Sequence, residues 1–263
     1  MPLFTDGLIS TLEQLAAQDS AVLDIASTEN IDVTAKLSLA QEEVGLELTA
    51  AASRSRFGFS PSAGWWPGCG LSSQLLQLNY VVVTPPLRLW HTFHTLALVY
   101  RDAYNNQLND RYLGKWTEYK TLAKWATELL FQIGVGFVSD PIPVAQPPVV
   151  LVTSGSFQAT TYFVQASWLN SRGEEGVASP VVSVIAPDQS TIQATIPGPP
   201  SNIKAWNIYA GRSVDFISLQ AGCPLGLNEV WTLPPSGLSL GKGPARGQDP
   251  SFFRPISRYL QRG

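Results

Sequence analysis

Hydrophobic residues in the first half of the chain recur at steps of three and four, a spacing that places them on one face of a helix. On this basis residues 5–52 are predicted to be helical, with a second segment beginning near Thr28 and Ile31. The clearest stripe in this stretch consists of Leu37, Ala40, Val44, Leu48 and Ala51.

Two longer amphipathic helices are predicted between about residues 86 and 133. Pro86 suits the first turn of a helix, where the missing N–H costs little. Residues 108–111 are a possible hinge between the two helices, and Gly134 and Gly136 let the chain leave the second one. Residues 71–84 fit a helix or a strand equally well.

After residue 149 the hydrophobic period changes from helical spacing to alternation, which predicts strands. In residues 160–169, for example, Tyr162, Val164, Ala166 and Trp168 all fall on one side. About seven short strands are predicted, a count and spacing typical of a β-sandwich. They lie at 149–153, 160–169, 181–185, 191–196, 205–209, 216–219 and 229–233.

The predicted fold is therefore α + β and multidomain. A helical bundle occupies residues 1–140, and a proline-rich linker covers 141–148, because closely spaced prolines stiffen a chain and cannot continue a helix. An antiparallel β-sandwich follows at 149–235. Residues 236–263, rich in Gly, Ser and Pro at first, form an extended C-terminal arm.

Two segments are candidates for binding partners. Trp65 and Trp66 lie in a Gly/Pro-rich loop, where they either fill the edge of a core or form an interface. The end of the arm is basic and aromatic, and such a peptide is expected to dock on its own chain or on a partner. The arm residues predicted to bind are Phe252, Phe253, Arg254, Arg258, Tyr259 and Leu260.

Charge is scarce and unevenly placed. Charged residues make up 14% of the chain, which indicates either a surface rich in neutral polar groups or one that neighbours cover. The net charge of -3 gives no general attraction to nucleic acid or acidic lipid. No run of about 18 apolar residues and no signal-like N-terminus is present, so neither membrane insertion nor export is expected.

The sequence contains no convincing catalytic or metal-binding pattern, so neither an enzyme nor a metal or cofactor site is predicted. The two histidines, His91 and His94, lie three residues apart on a predicted helix, with no acidic residue at the matching turn. Cys69 and Cys223 are far apart and belong to no metal-binding motif. Glu175, Asp188 and Asp215 are possible calcium ligands in strand loops, but each is isolated.

The C-terminal half resembles the fibronectin type III and related Ig-like domains that are attached to phage virion proteins. The residues that carry this resemblance are 162–170 (YFVQASWLN), 173–176 (GEEG), 178–180 (ASP) and 203–211 (IKAWNIYAG). The resemblance implies a fold rather than a function, because such modules occur on many surface proteins.

The N-terminal half resembles the helical head-to-tail adaptor proteins of tailed bacteriophages, also called connector or head-completion proteins. Residues 38–45 (SLAQEEVG), 89–93 (LWHTF) and 112–116 (YLGKW) carry this resemblance. It implies a structural protein of the virion neck, assembled in the host cytoplasm, that forms a homo-oligomeric ring of about twelve copies. The arm would bind the portal protein, another surface would bind tail, tail-terminator or nozzle proteins, and DNA would pass non-specifically through the ring.

Two other functions stay open at this point. The chain could be a tail-fibre or baseplate-associated module whose sandwich recognises a host glycan or protein, although the heptads typical of trimeric fibres are not evident. It could also be a cellular surface or sugar-binding protein, which the N-terminal sequence disfavours.

Overall fold

The computed structural model describes residues 1–54 and 77–256. Five helices lie in the N-terminal half and antiparallel sheets in the C-terminal half, which places the chain in the α + β class. The chain divides into two compact units. The sheet unit consists of Met1–Asp6 and Val138–Asp249, and the helical unit consists of the described parts of Gly7–Phe137 and Pro250–Gly263.

This division differs from the domain boundaries predicted from the sequence. The proline-rich stretch 141–148, predicted to be a linker, is part of the sheet unit, since Ile142 and Ala145 are buried in its hydrophobic core. The first six residues belong to the same unit. There the Asp6 carboxylate accepts the backbone N–H groups of Leu3 at 2.7 Å and Val144 at 2.9 Å.

The helical unit is organised around one helix that packs against all the others. The helices are α1 (Leu12–Gln18), α2 (Val22–Thr28), α3 (Val33–Arg54), α4 (Pro85–Gln107) and α5 (Asp110–Ile133). Helix α4 contacts each of the other four. All five residues of the stripe predicted on α3 are buried, which confirms that its apolar face was read correctly. Residues 5–52 contain three helices: the break between α2 and α3 lies where a second segment was predicted to begin, but the break between α1 and α2 was not predicted.

Local sequence accounts for the ends of α4 and α5. Pro85 occupies the first turn of α4, and Leu108 adopts a left-handed conformation with φ of 51° that ends it. The Asn109 side chain then accepts the N–H of Arg111 at 3.0 Å and begins α5. The break between the two helices thus lies at the start of residues 108–111, the predicted position of a possible hinge.

A partly buried carboxylate joins three helices of this unit. Asp19 lies at the end of α1 and accepts hydrogen bonds from the hydroxyls of Tyr100 on α4 and Tyr119 on α5, both at 2.7 Å. It also accepts the backbone N–H of Ala21 at 3.0 Å, and the Lys115 ammonium lies 3.8 Å away. Burial acts to raise the pKa of Asp19, but the hydrogen bonds from both tyrosines and Ala21 outweigh it and hold that pKa below its usual range.

The rings around Asp19 form a stack that links the two long helices. The Tyr100 and Tyr119 rings stack with their centroids 5.5 Å apart, and Phe93 stacks on Tyr119 at 6.4 Å. Tyr100 is fully buried and Tyr119 nearly so. Their hydroxyls therefore depend on Asp19 for a hydrogen-bond acceptor.

The described strands form three sheets. They are β1 (Val135–Phe137), β2 (Val149–Phe157), β3 (Thr160–Asn170), β4 (Val182–Ala186), β5 (Ser190–Thr195), β6 (Ile203–Gly211), β7 (Ser218–Leu219), β8 (Leu225–Gly226), β9 (Trp231–Thr232) and β10 (Phe252–Arg254). β1 and β10 pair in the helical unit. In the sheet unit, one sheet has the order β2-β5-β9, and the other has the order β4-β3-β6-β7 with β8 also paired to β6.

Both sheets of the sheet unit contribute side chains to one hydrophobic cluster. Trp168 and Trp206 face each other across β3 and β6, and both are fully buried. Ile192 and Ala194 of β5 join the same cluster, with Trp231 of β9. The alternation predicted for residues 160–169 is confirmed, because its four inward residues are all in this core.

Candidate functional site

The residues predicted to form a docking arm are largely bound to their own chain. We call residues 239–256 the C-terminal segment. Its first part follows the surface of the sheet unit, where the Ser239 N–H donates to Gln220 Oε1 at 2.8 Å and the Ser239 carbonyl accepts from Gln220 Nε2 at 3.0 Å. Farther along, the carbonyl of Lys242 accepts the N–H of Leu219 at 2.8 Å.

Gln248 fixes the end of this first part. Its side chain is buried and accepts the Ile142 N–H at 2.7 Å, while its amide donates to the Asp140 carbonyl at 2.9 Å and to Glu174 Oε2 at 3.0 Å. The preceding residue, Gly247, has φ of 96°, and a Cβ there would overlap the carbonyl of Met1. This part of the predicted arm is therefore an integral part of the sheet unit.

Beneath the C-terminal segment lies a cluster of polar side chains centred on Glu175. The carboxylate oxygen Oε1 accepts hydrogen bonds from Ser167 of β3 and from Asn207 and Tyr209 of β6, with Asn207 Nδ2 at 2.9 Å. The other oxygen, Oε2, is 3.8 Å from the ammonium of Lys242 in the C-terminal segment. Burial, and then the hydrogen bond to Glu175, raise the pKa of Tyr209, so that its hydroxyl stays protonated as a donor.

An open cleft of about 1030 Å³ adjoins this cluster. One wall is the turn that follows β3, with Glu174 and Glu175, and the other is the C-terminal segment from Lys242 to Asp249. Arg246 and Lys242 bring positive charge to the wall that faces the two glutamates. A cleft lined by both signs of charge and by backbone can accept a polar ligand or a peptide.

The second part of the C-terminal segment docks in the helical unit. β10 pairs antiparallel with β1, so that Phe252 lies opposite Phe137, Phe253 opposite Gly136 and Arg254 opposite Val135. The rings of Phe252 and Phe137 stack at 5.5 Å. Ile256 is buried, and its N–H donates to the carbonyl of Phe131 at 3.3 Å.

The docked strand still presents aromatic surface to solvent. Phe252 is 38% exposed and Phe253 is 49% exposed, so neither ring is fully used by the contact with β1. The other predicted arm residues, Arg258, Tyr259 and Leu260, lie outside the described residues. The same is true of Trp65 and Trp66, the predicted interface loop.

Gly134 is the residue on which docking of β10 depends most directly. It has φ of 105°, and a Cβ at this position would lie 2.9 Å from the carbonyl carbon of Arg254. A Gly134→Val substitution is therefore expected to weaken docking by roughly 1–3 kcal/mol through strain and overlap. Hydrogen exchange measured by mass spectrometry should show faster exchange at residues 252–256.

The matched control for this experiment is Gly114→Ala on α5, since a Cβ at Gly114 meets no atom within 4 Å. That variant is expected to leave exchange at residues 252–256 unchanged. Unchanged exchange in Gly134→Val as well would contradict the docked position of β10.

Both histidines make hydrogen bonds within the helical unit. His91 is buried, with Nε2 donating to the Leu37 carbonyl at 3.0 Å and Nδ1 at 3.0 Å from Ser10 Oγ. Burial lowers the pKa of His91 to about 4, so the ring is neutral at neutral pH. His94 contacts the carboxylate of Glu43 at 2.5 Å.

Possible metal ligands do not cluster in the described part of the chain. Within residues 1–54 and 77–256, no three His, Cys, Asp or Glu side chains are grouped as metal ligands would be. No helix in those residues is long and apolar enough to span a membrane. Glu175, one of the isolated calcium candidates, has its Oε1 occupied by three hydrogen-bond donors.

Sequence reasoning missed the buried polar residues of the Glu175 cluster and of the C-terminal segment. Ser167 and Asn207 are directly paired in register across β3 and β6 and are both buried. Because both residues lie on the polar side of predicted strands, the sequence pattern predicted that they would be exposed to solvent. Gln248 lies in a stretch without periodicity, and nothing in the sequence marked it as buried.

No protein-family model matches the chain, and no curated protein matches its sequence.

Proposed function

We propose that this chain is a non-enzymatic structural protein of a tailed-phage virion, a ring-forming adaptor that joins the portal to the tail around the DNA channel. In this proposal the helical unit forms the ring and the C-terminal segment contacts the portal. The sheet unit is a two-layer sandwich of the fibronectin III/Ig-like class that projects from the neck. Support for the sandwich comes from the core shared by the two sheets, together with the resemblance of its strands.

The proposed docking role rests mainly on β10, which is ordered but still partly exposed. Its side chains are held in position by β1, yet Phe252 and Phe253 keep between a third and a half of their surface exposed. Exposed aromatic rings on an ordered backbone bind a partner at little entropic cost, and aromatic residues are enriched at interfaces. Arg254 and the basic residues that follow in the sequence would add electrostatic attraction.

The test is attachment of the purified chain to the portal protein of the same virus. Deleting residues 257–263, or replacing Phe253 by Ser, is expected to reduce attachment at least tenfold, about 1.4 kcal/mol, because exposed anchor residues are lost. Cosedimentation with assembled portal gives the affinity. The truncation begins after Ile256 because residues 239–256 are bound within the chain itself.

The control is Leu240→Ser, which removes a fully exposed apolar side chain from a different part of the segment. This variant should attach as the unmodified chain does. Equal attachment of all the variants would refute the portal-docking role. Electron microscopy of the attached material then tests the ring, and a trimer in place of a ring would favour a fibre protein.

One observation favours the alternative, a tail-fibre or baseplate-associated module that recognises a host glycan or protein. The cleft beside Glu175 is large enough for a small glycan or a peptide strand and has both acidic and basic walls. Specific binding of a host glycan or protein that is lost in Lys242→Glu would support this function over the adaptor.

A further inference from the structure

The terminal strand of the three-stranded sheet lacks three of the features that usually protect a sheet edge, namely short length, charged side chains and proline. β2 stands at the end of the order β2-β5-β9, so in the described part of the chain one of its two edges has no strand partner. Terminal strands in soluble proteins are usually short or carry charged residues or proline, which prevents them from pairing with other chains. β2 has nine residues, and neither a charged residue nor a proline is among them.

The regular part of this edge is apolar and exposed. From Val149 to Ser154, β2 keeps an unbroken register with β5, and an irregularity follows between Ser154 and Phe157. Val149 is 49% exposed and Leu151 is 57% exposed. Both lie on the side opposite to Val150, which packs against the core, so changing them leaves the core intact.

A second apolar strand lies beside this edge. β4 is the terminal strand of the other sheet, and it contacts β2. Its Ile185 is 80% exposed. The two terminal strands, with Val181 just before β4, make one apolar rim, which we define by Val149, Leu151, Val152, Val181 and Ile185.

The chain around this rim carries no charge. Residues 141–171 contain no Asp, Glu, Lys or Arg, and neither do residues 176–187, which include β4. Charge is depleted in the centres of protein interfaces, whereas free surface normally carries charges of both signs. The rim is therefore expected to be covered by protein in the working state.

A second copy of this chain fits the rim for two reasons. A strand edge is self-complementary when two copies meet antiparallel across a two-fold axis, since each residue then contacts the same set of residues on its partner. A two-fold axis also brings like charges together, which costs free energy on a charged surface but not on this one. We infer that β2 pairs antiparallel with β2 of a second copy, joining two sheet units into a dimer through the apolar rim.

This dimer is separate from the proposed ring. A two-fold contact closes on two copies, whereas the contacts of a ring repeat around one axis. The dimer contact involves the sheet unit and the ring contacts involve the helical unit. Failure of one proposal therefore leaves the other standing.

Sedimentation velocity of the full chain tests the inference. The unmodified protein is expected to sediment as a dimer that dissociates on dilution, and Leu151→Lys is expected to sediment as a monomer. Lysine at this exposed position would place like charges near each other across the axis without disturbing the core. Val149→Lys provides a second variant with the same expected result, and circular dichroism verifies that both are folded.

Leu240→Lys is the matched control, because Leu240 is fully exposed and lies outside the rim. It should leave the dimer intact. Hydrogen exchange gives an independent readout: raising the protein concentration should slow exchange in residues 149–154 and leave β6 unaffected. A chain that is monomeric at every concentration, a dimer unaffected by Leu151→Lys, or open-ended aggregation without a dimer would each overturn the inference.

Discussion

Replacing Asp19 by Ala is expected to destabilise the helical unit by about 3 kcal/mol, a large fraction of the stability of a typical domain. The substitution removes the carboxylate that accepts hydrogen bonds from the hydroxyls of two buried tyrosines, Tyr100 and Tyr119. A buried donor left without an acceptor costs about 1–3 kcal/mol. Hydrogen exchange should become faster along α4 and α5, with the sheet unit unchanged.

The matched control is Asp24→Ala, which removes an exposed carboxylate from the neighbouring helix α2. It is expected to change stability by less than about 0.5 kcal/mol, as is usual for exposed positions. Asp19→Asn keeps one acceptor oxygen and should fall between the two. If Asp19→Ala behaved like Asp24→Ala, the carboxylate would not be the link between the helices.

The same carboxylate predicts a dependence on pH with a definite sign. Because the pKa of Asp19 is lower in the folded chain than its ordinary value of 3.8, its charged form stabilises the fold above that value. The stabilisation is lost as the pH falls through the folded-state pKa. The difference in stability between the unmodified chain and Asp19→Asn should therefore be constant near neutral pH and shrink below about pH 4.

The hydrophobic pattern was sufficient to predict helices and strands in which one regular set of positions is buried. The stripe from Leu37 to Ala51 and the alternating residues of β3 each face one core, so hydrophobicity alone marks their inner side. The break between α4 and α5 was also visible, because Asn109 is a good N-cap residue. These features depend on neighbours only a few positions away in the sequence.

The C-terminal segment could not be predicted in this way, because its partners are far away in the sequence. β10 pairs with β1 more than a hundred positions earlier, and a three-residue strand carries too few residues to show a period. Gln248 likewise bonds Asp140 and Ile142. The composition of residues 236–250 predicted an extended chain, and the structure has no helix or named strand there, but nothing local showed which surface the stretch follows.

Polar residues on the outer side of β3 and β6 illustrate a second limit of prediction from the hydrophobic pattern. Alternation assigns Ser167 and Asn207 to a solvated face, yet both are buried. The turn after β3 folds back over this face and places the carboxylate of Glu175 among their side chains. A polar face buried by a later part of the chain has the same pattern as one that faces water.

Replacing Glu175 by Ala is expected to destabilise the sheet unit by about 3 kcal/mol, because three donors lose their common acceptor. Ser167, Asn207 and Tyr209 come from adjacent strands and donate to the same oxygen. Loss of the contact with Lys242, which is itself mostly exposed, should add little. The measurement is chemical denaturation followed by tryptophan fluorescence, to which the buried Trp168 and Trp206 of the sheet unit contribute.

Asp188→Ala is the matched control, since it removes an exposed carboxylate from another turn of the same unit. Hydrogen exchange should become faster in β3, in β6 and in residues 170–176 of the Glu175 variant, and remain unchanged in the Asp188 variant. In the Glu175 variant, exchange in residues 242–249 should become faster, as in β3, only if the Glu175 cluster helps to hold the C-terminal segment. Exchange that rises around Glu175 while residues 242–249 stay protected would assign their docking to Gln248 and the backbone contacts instead.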